Sequence, residues 1–116
     1  MKSAKVIVLV QNDPYLVSTR TTLLAKQGYV VKAVHTVEES RQLCHDFSCD
    51  LVIVDSEEDY KAAIQLCEEI KTENPEVNVA VIAWHGSEID SECPDEVIRR
   101  DRGPQEFVEK VRLALA

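Results

Sequence analysis

Short segments that are apolar at nearly every position recur along the chain, separated by longer segments with helical periodicity. Lys5 to Val10 (KVIVLV) and Asp50 to Asp55 (DLVIVD) read as strands buried on both faces, the pattern of a parallel sheet covered by helices, and Val77 to Ala83 (VNVAVIA) reads as a strand. Tyr29 to Val34 (YVVKAV) is a further strand whose single Lys32 suits a sheet edge, and Val97-Ile98 is a weaker fifth. Asp13-Pro14 opens the first helix with an N-cap and a first-turn proline, Leu16, Val17, Leu23 and Leu24 share one face, and Gly28 stops it. Thr36-Val37-Glu38-Glu39 is a capping box that opens a second helix through about Phe47, with Val37, Leu43, Cys44 and Phe47 as its buried stripe.

Ser56 to Asp59 precedes a third helix carrying Tyr60, Ala63, Ile64, Cys67 and Ile70 at helical spacing, which ends at Asn74-Pro75. The last helix runs from Pro104, with Phe107, Val108, Val111 and Leu115 as its stripe. Strand and helix alternate throughout, so the chain predicts successive βαβ crossovers and a doubly wound α/β fold, in one domain over residues 1–116. Only the twelve residues His85 to Glu96 separate Trp84 from the fifth strand, about the minimum for a parallel crossover. The helix expected there is therefore a single turn, capped by Ser87-Glu88-Ile89-Asp90, or absent.

A chain of 116 residues with 45% apolar content supports one core. Its formal charge of -8 argues against a nucleic-acid partner, with Arg99-Arg100-x-Arg102 as the local exception. No apolar run is long enough to span a bilayer, and the N-terminal residues lack a signal-peptide pattern, so no membrane association is expected and the predicted location is cytoplasmic. Cys44, Cys49, Cys67 and Cys93 allow two disulfides, but regular apolar patterning makes reduced thiols the plainer reading. Cys44-His45-x-x-x-Cys49 lacks the paired short spacings of a structural zinc site. Only three glycines occur and none forms a phosphate-cradling turn after a strand, which disfavours a nucleotide-binding enzyme.

Chemistry concentrates at Asp55, a carboxylate at the carboxyl end of a central strand, where open α/β sheets place their sites. The order of elements, the segment Val8-Leu9-Val10-Gln11-Asn12-Asp13-Pro14, the strand Asp50 to Asp55 and the final helix resemble the receiver domain of bacterial response regulators, over nearly the whole chain. The resemblance implies five parallel strands in the order 2-1-3-4-5. It also implies that Asp55 is the phosphoacceptor position, next to a Mg2+ site formed with an acidic pair after strand 1. Here that pair is Gln11 and Asn12; the hydroxyl position after strand 4 is Ala83, the lysine position after strand 5 is Arg100, followed by Asp101, and the aromatic switch position is Val97.

These departures are chemically serious. Phosphoryl transfer to a carboxylate brings together two negative groups and relies on cations to hold the equatorial oxygens. Exchanging carboxylates for amides weakens a hard-cation site, so at most a weak Mg2+ site on Asn12, Asp13 and Asp55 is expected, and no other cofactor. Arg100 keeps the lysine's charge in a different shape, while Ala83 offers no hydroxyl to a phosphoryl oxygen. The resemblance thus implies a degenerate receiver, not an enzyme, that acts as a protein-interaction module independent of phosphorylation. The alternative is a working receiver that accepts phosphate on Asp55. Expected partners are a histidine kinase or an output domain, and a homodimer through the strand 5 face.

Several residues carry two readings at this level. Asp55 is either a phosphoacceptor or half of an ion pair with Arg100. Asp13 is a helix cap or a metal ligand. Glu57, Glu58 and Asp59 either complement the dipole of the third helix or supply oxygens to a cation. Trp84, with His85 beside it, is core under a loop or, together with the Arg99 to Arg102 cluster, a binding hot spot.

Overall fold

The computed structural model describes residues 4–46, 48–56, 60–84 and 89–116, with only the backbone at 44–46. Five parallel strands form one sheet in the order β2-β1-β3-β4-β5: β1 (Val6–Val10), β2 (Val30–Val34), β3 (Leu51–Asp55), β4 (Asn78–Ala83) and β5 (Glu96–Arg99). Helices α1 (Pro14–Lys26), α2 (Val37–Asp46), α3 (Tyr60–Glu73) and α4 (Gly103–Ala114) connect or follow them, and a short 3-10 turn, Arg100–Arg102, leads into α4. Strand β2, with Lys32, lies at an edge. The described residues 89–95 between β4 and β5 form no helix, so the crossover that the twelve-residue spacing marks as short lacks one there. The capping serine of that segment, the acids at 57–59, Phe47 and His85 fall outside the described residues.

Alternation along each strand divides the core in two. Val8, Val10, Val52, Val54, Val79 and Val81 face one side and pack with Ala63, Leu66, Cys67 and Ile70 of α3. Ile7, Leu9, Leu51, Ile53, Ala80 and Ile82 face the other, with Leu24 of α1 and Phe107, Val111 and Ala114 of α4. Period-2 side chains on strands buried on both faces require two such layers. Each fully buried Leu, Ile or Val contributes about 1.5–3 kcal/mol of transfer free energy, and Ile7, Leu9, Leu51, Ile53 and Ile82 have no exposure at all. Leu66, absent from the stripe read along the third helix, is fully buried, whereas Tyr60 and Ile64 lie half-buried at its margin.

Local chemistry sets the ends of these elements. Helix α1 stops in a Schellman motif: Tyr29 N–H donates to Leu24 O and Gly28 N–H to Ala25 O, with Gly28 at φ 91°. A side chain there would cost about 1–2 kcal/mol of left-handed strain. Asp50 ties β3 to β1 at their amino ends, since its carboxylate accepts from Val6 N–H at 2.8 Å while its own N–H donates to Val6 O. At α2, Thr36 Oγ1 accepts from Glu39 N–H and its hydroxyl reaches the Glu39 carboxylate, as the capping box predicts at residue level. Gly103 has φ 86°, outside the helical region, so α4 takes its fixed helical φ from Pro104 onward. No helix among the described residues is long and apolar enough to cross a membrane.

Candidate functional site at the carboxyl end of the sheet

Asp55 closes β3, the middle strand, opposite Ile82 of β4, and is 9% exposed. Gln11 follows β1 and is held inside by its N–H, which donates to Val34 O of the edge strand at 2.9 Å. Both lie in a cleft of about 540 Å3 whose wall includes Asn12, Asp13, His35, Trp84 and Arg100. The sheet thus gathers Gln11, Asn12, Asp13, Asp55 and Arg100 around one cleft.

The cation paired with Asp55 comes from an unexpected place. Arg20, in the middle of α1, points inward and is 7% exposed. Its Nη1 lies 2.8 Å from Asp55 Oδ2, and the same nitrogen donates to the side-chain oxygen of Gln11. The Phe107 ring of α4 lies against the guanidinium, 5.8 Å from its carbon, within cation–π range. Arg20 was missed in the sequence, although a signal was there: it continues the Leu16, Leu23, Leu24 face of α1, where a solvated arginine has no business. A charge placed among apolar positions needs a buried partner.

Arg100, the expected partner of Asp55, is engaged elsewhere. Its guanidinium carbon stacks 3.9 Å from the centroid of the Trp84 ring, so the ion pair expected with Asp55 is corrected to one made by Arg20. Arg100 begins the 3-10 turn after β5 and is taken up by the Trp84 ring, while Arg20 of α1 enters against Asp55. Trp84 is half-buried, with its indole Nε1 enclosed and lacking a hydrogen-bond partner among the described residues. Ala83 is completely buried and presents a methyl group. The hydroxyl near the site belongs to Ser56, which donates to Ile82 O at 2.7 Å; the Ser56 N–H donates to the same carbonyl at 3.0 Å.

Asp13 has an extended backbone (φ -78°, ψ 116°), and its Oδ1 accepts from the amides of Tyr15 at 2.9 Å and Leu16 at 3.3 Å. It therefore serves as the N-cap of α1. A hard divalent cation does not fit this donor set. Gln11 and Asn12 are neutral, Oδ1 of Asp13 is committed to amides, and Oδ2 of Asp55 faces a guanidinium that would repel a second cation. Among the described residues, no three His, Cys, Asp or Glu side chains are grouped to hold a metal ion.

The model of the response regulator receiver domain family matches residues 7–110. The chain is 30% identical over 104 residues to the transcriptional regulatory protein GlrR of Escherichia coli K12, across 90% of this chain and 22% of the regulator, so it spans about a fifth of that relative's length. A CheY-like receiver domain protein from Methanospirillum hungatei superposes with a TM-score of 0.85 at 20% identity, covering 97% of this chain and 94% of that one. The response regulator TrrA of Thermotoga maritima, solved in complex with Mg2+ and BeF, superposes at 0.83 with 24% identity, covering 96% and 99%. With the strand order, the Asp55 rim and the family match in agreement, the chain belongs to the response regulator receiver domains, the signalling modules of two-component systems.

Proposed function

We propose that this receiver domain signals through protein contacts without being phosphorylated, with Asp55 held as one half of a permanent internal ion pair. The observation that carries the reading is the Arg20 guanidinium 2.8 Å from Asp55, with both side chains at most 9% exposed. Receiver domains generally bind Mg2+ at the phosphorylation site, and the ion offsets charge as the phosphoryl group arrives. Here Arg20 supplies positive charge from within the fold, at the oxygen that would attack phosphorus. A carboxylate oxygen hydrogen-bonded to a guanidinium is a weaker nucleophile, and no divalent ion is drawn in beside it. Ala83 removes the hydroxyl readout as well, which supports a fixed signalling state.

Receiver domains work with histidine kinases and output domains. For this chain the reading places partner docking on the β5 side, where Trp84, Arg100 and Arg102 lie together at the end of the sheet. The partner is then a kinase, an output domain or a second copy, with the chain acting in the cytoplasm. Sedimentation as a monomer at every concentration would remove the second copy.

The direct test is incubation with a small phosphodonor and Mg2+, followed by intact-mass and peptide mass spectrometry. The expected result is an unmodified chain. A phosphoryl adduct on Asp55 that disappears in Asp55→Asn would replace this reading with that of a working receiver. That second reading is favoured by the position of Asp55 in the wall of a cleft of about 540 Å3.

A further inference from the structure

Away from the Asp55 rim, two cysteines meet across a packing interface. Cys67 lies on the buried face of α3, and Cys93 in the connection between β4 and β5. Their sulfurs are 2.7 Å apart, closer than two unbonded sulfurs normally rest and little longer than the ~2.05 Å of a disulfide bond. The backbone on both sides is already fixed. Cys93 N–H donates to Ser91 Oγ at 3.1 Å, and two residues on, the Asp95 carboxylate accepts from Val79 N–H at 2.8 Å. The same Asp95 pairs at 2.5 Å with Lys71, which lies one helical turn along α3 from Cys67. The connection is thus clamped to α3 beside the two sulfurs.

We propose that Cys67 and Cys93 form a reversible disulfide that fastens the β4–β5 connection to α3, making this receiver responsive to thiol oxidants. The oxidant is a low-molecular-weight disulfide of the glutathione class. Cys93 is half-buried and accessible, whereas Cys67 is completely buried, and burial followed by its contact with Cys93 pushes the Cys67 thiol up. Attack therefore begins at Cys93. Its thiol loses a proton, its sulfur bonds to one glutathione sulfur, and the second glutathione leaves as a thiolate that takes up the proton. Cys67 then loses its proton and attacks the Cys93 sulfur of the mixed disulfide, releasing the bound glutathione as a thiol. Two protein thiols are oxidised by two electrons and one glutathione disulfide is reduced to two thiols.

This inference is independent of whether Asp55 is phosphorylated. The test treats the reduced full chain with oxidised glutathione, then measures intact mass and maps a non-reducing digest. The expected result is loss of two hydrogens with no retained glutathione, and a cross-linked peptide pair containing Cys67 and Cys93. In Cys67→Ser, the Cys93 glutathione adduct should persist because nothing resolves it. Recovery of Cys67 and Cys93 as free alkylatable thiols, or a cross-link confined to Cys44 and Cys49, would overturn the proposal.

Discussion

Replacing Arg20 by Met gives the most direct measure of what the internal cation does. The substitution keeps a long, unbranched side chain on the inner face of α1 but leaves Asp55 buried opposite no guanidinium. At 2.8 Å and an effective dielectric of about 20, the attraction lost is roughly 6 kcal/mol, most of it offset in the native protein by desolvation of the two ions. Truncating one partner of such a pair typically costs about 3–5 kcal/mol, because the remaining charge stays buried. Loss of the contact with Phe107 adds up to about 1 kcal/mol. For 116 residues, an unfolding entropy of about 0.24 kcal/mol/K turns a 3 kcal/mol loss into a fall in Tm of roughly 12 °C. Urea unfolding followed by circular dichroism on wild type, Arg20→Met, Asp55→Asn and the double variant closes a thermodynamic cycle. The double variant should be more stable than the two single losses predict by about 2 kcal/mol or more. Additive losses, or an Arg20→Met cost below about 1 kcal/mol, would show that the pair does not organise the site, and with it would go the charge argument for a phosphorylation-independent domain.

Two smaller perturbations probe neighbouring features. Arg100→Ala should expose the Trp84 ring, the chain's one tryptophan, red-shifting its emission while lowering stability by only about 0.5–1 kcal/mol, since the stacked pair is half-exposed; unchanged emission would mean that Trp84 is held by other contacts. The Cys67 thiol titrates higher in the fold than in an unfolded chain, chiefly through burial, so the folded state holds that proton more tightly and its contribution is complete below the unfolded value of about 8.5. Stability of the reduced protein should therefore decline as pH rises above that value, and Cys67→Ala should flatten the decline in urea titrations across pH 8 to 10.

The fold was legible because its determinants are local and repeated. Unbroken apolar runs at β1 and β3 demanded helices on both faces, Lys32 marked β2 as an edge, and the twelve residues before β5 were too few for a full helix. The rim was legible as well, since strand ends are set by the same runs, and Asp13 declared itself as a cap through the following proline. What escaped were the pairings across the sheet. Arg100 sits where a lysine would reach Asp55, yet the aromatic ring of Trp84 captures it, and Arg20 enters from α1. Only the helical periodicity around Arg20 carried a trace of this, and it was read as an apolar stripe with the arginine left out. Cys67 and Cys93 are 26 residues apart, on elements that meet only once the β4–β5 connection folds back onto α3.

The Arg20 arrangement also bears on why the missing acids and the missing hydroxyl occur together. In the receiver pattern, an acidic pair and the phosphoacceptor place three negative charges at the rim, which a divalent ion and a lysine bring to neutrality. Replacing the pair by Gln11 and Asn12 removes two of those charges, and Arg20 neutralises the one that remains. On the proposed reading the Asp55 charge is met with neither metal nor phosphate, and Gln11 accepts from the same guanidinium. Had the acidic pair been kept, Arg20 would compete with the metal for the same oxygens; had Arg20 been leucine, buried Asp55 would lose its guanidinium partner. Gln11, Arg20 and Asp55 thus form one hydrogen-bonded group. On the proposed reading a fixed rim leaves a hydroxyl after β4 nothing to report, and Ala83 completes the packing in its place.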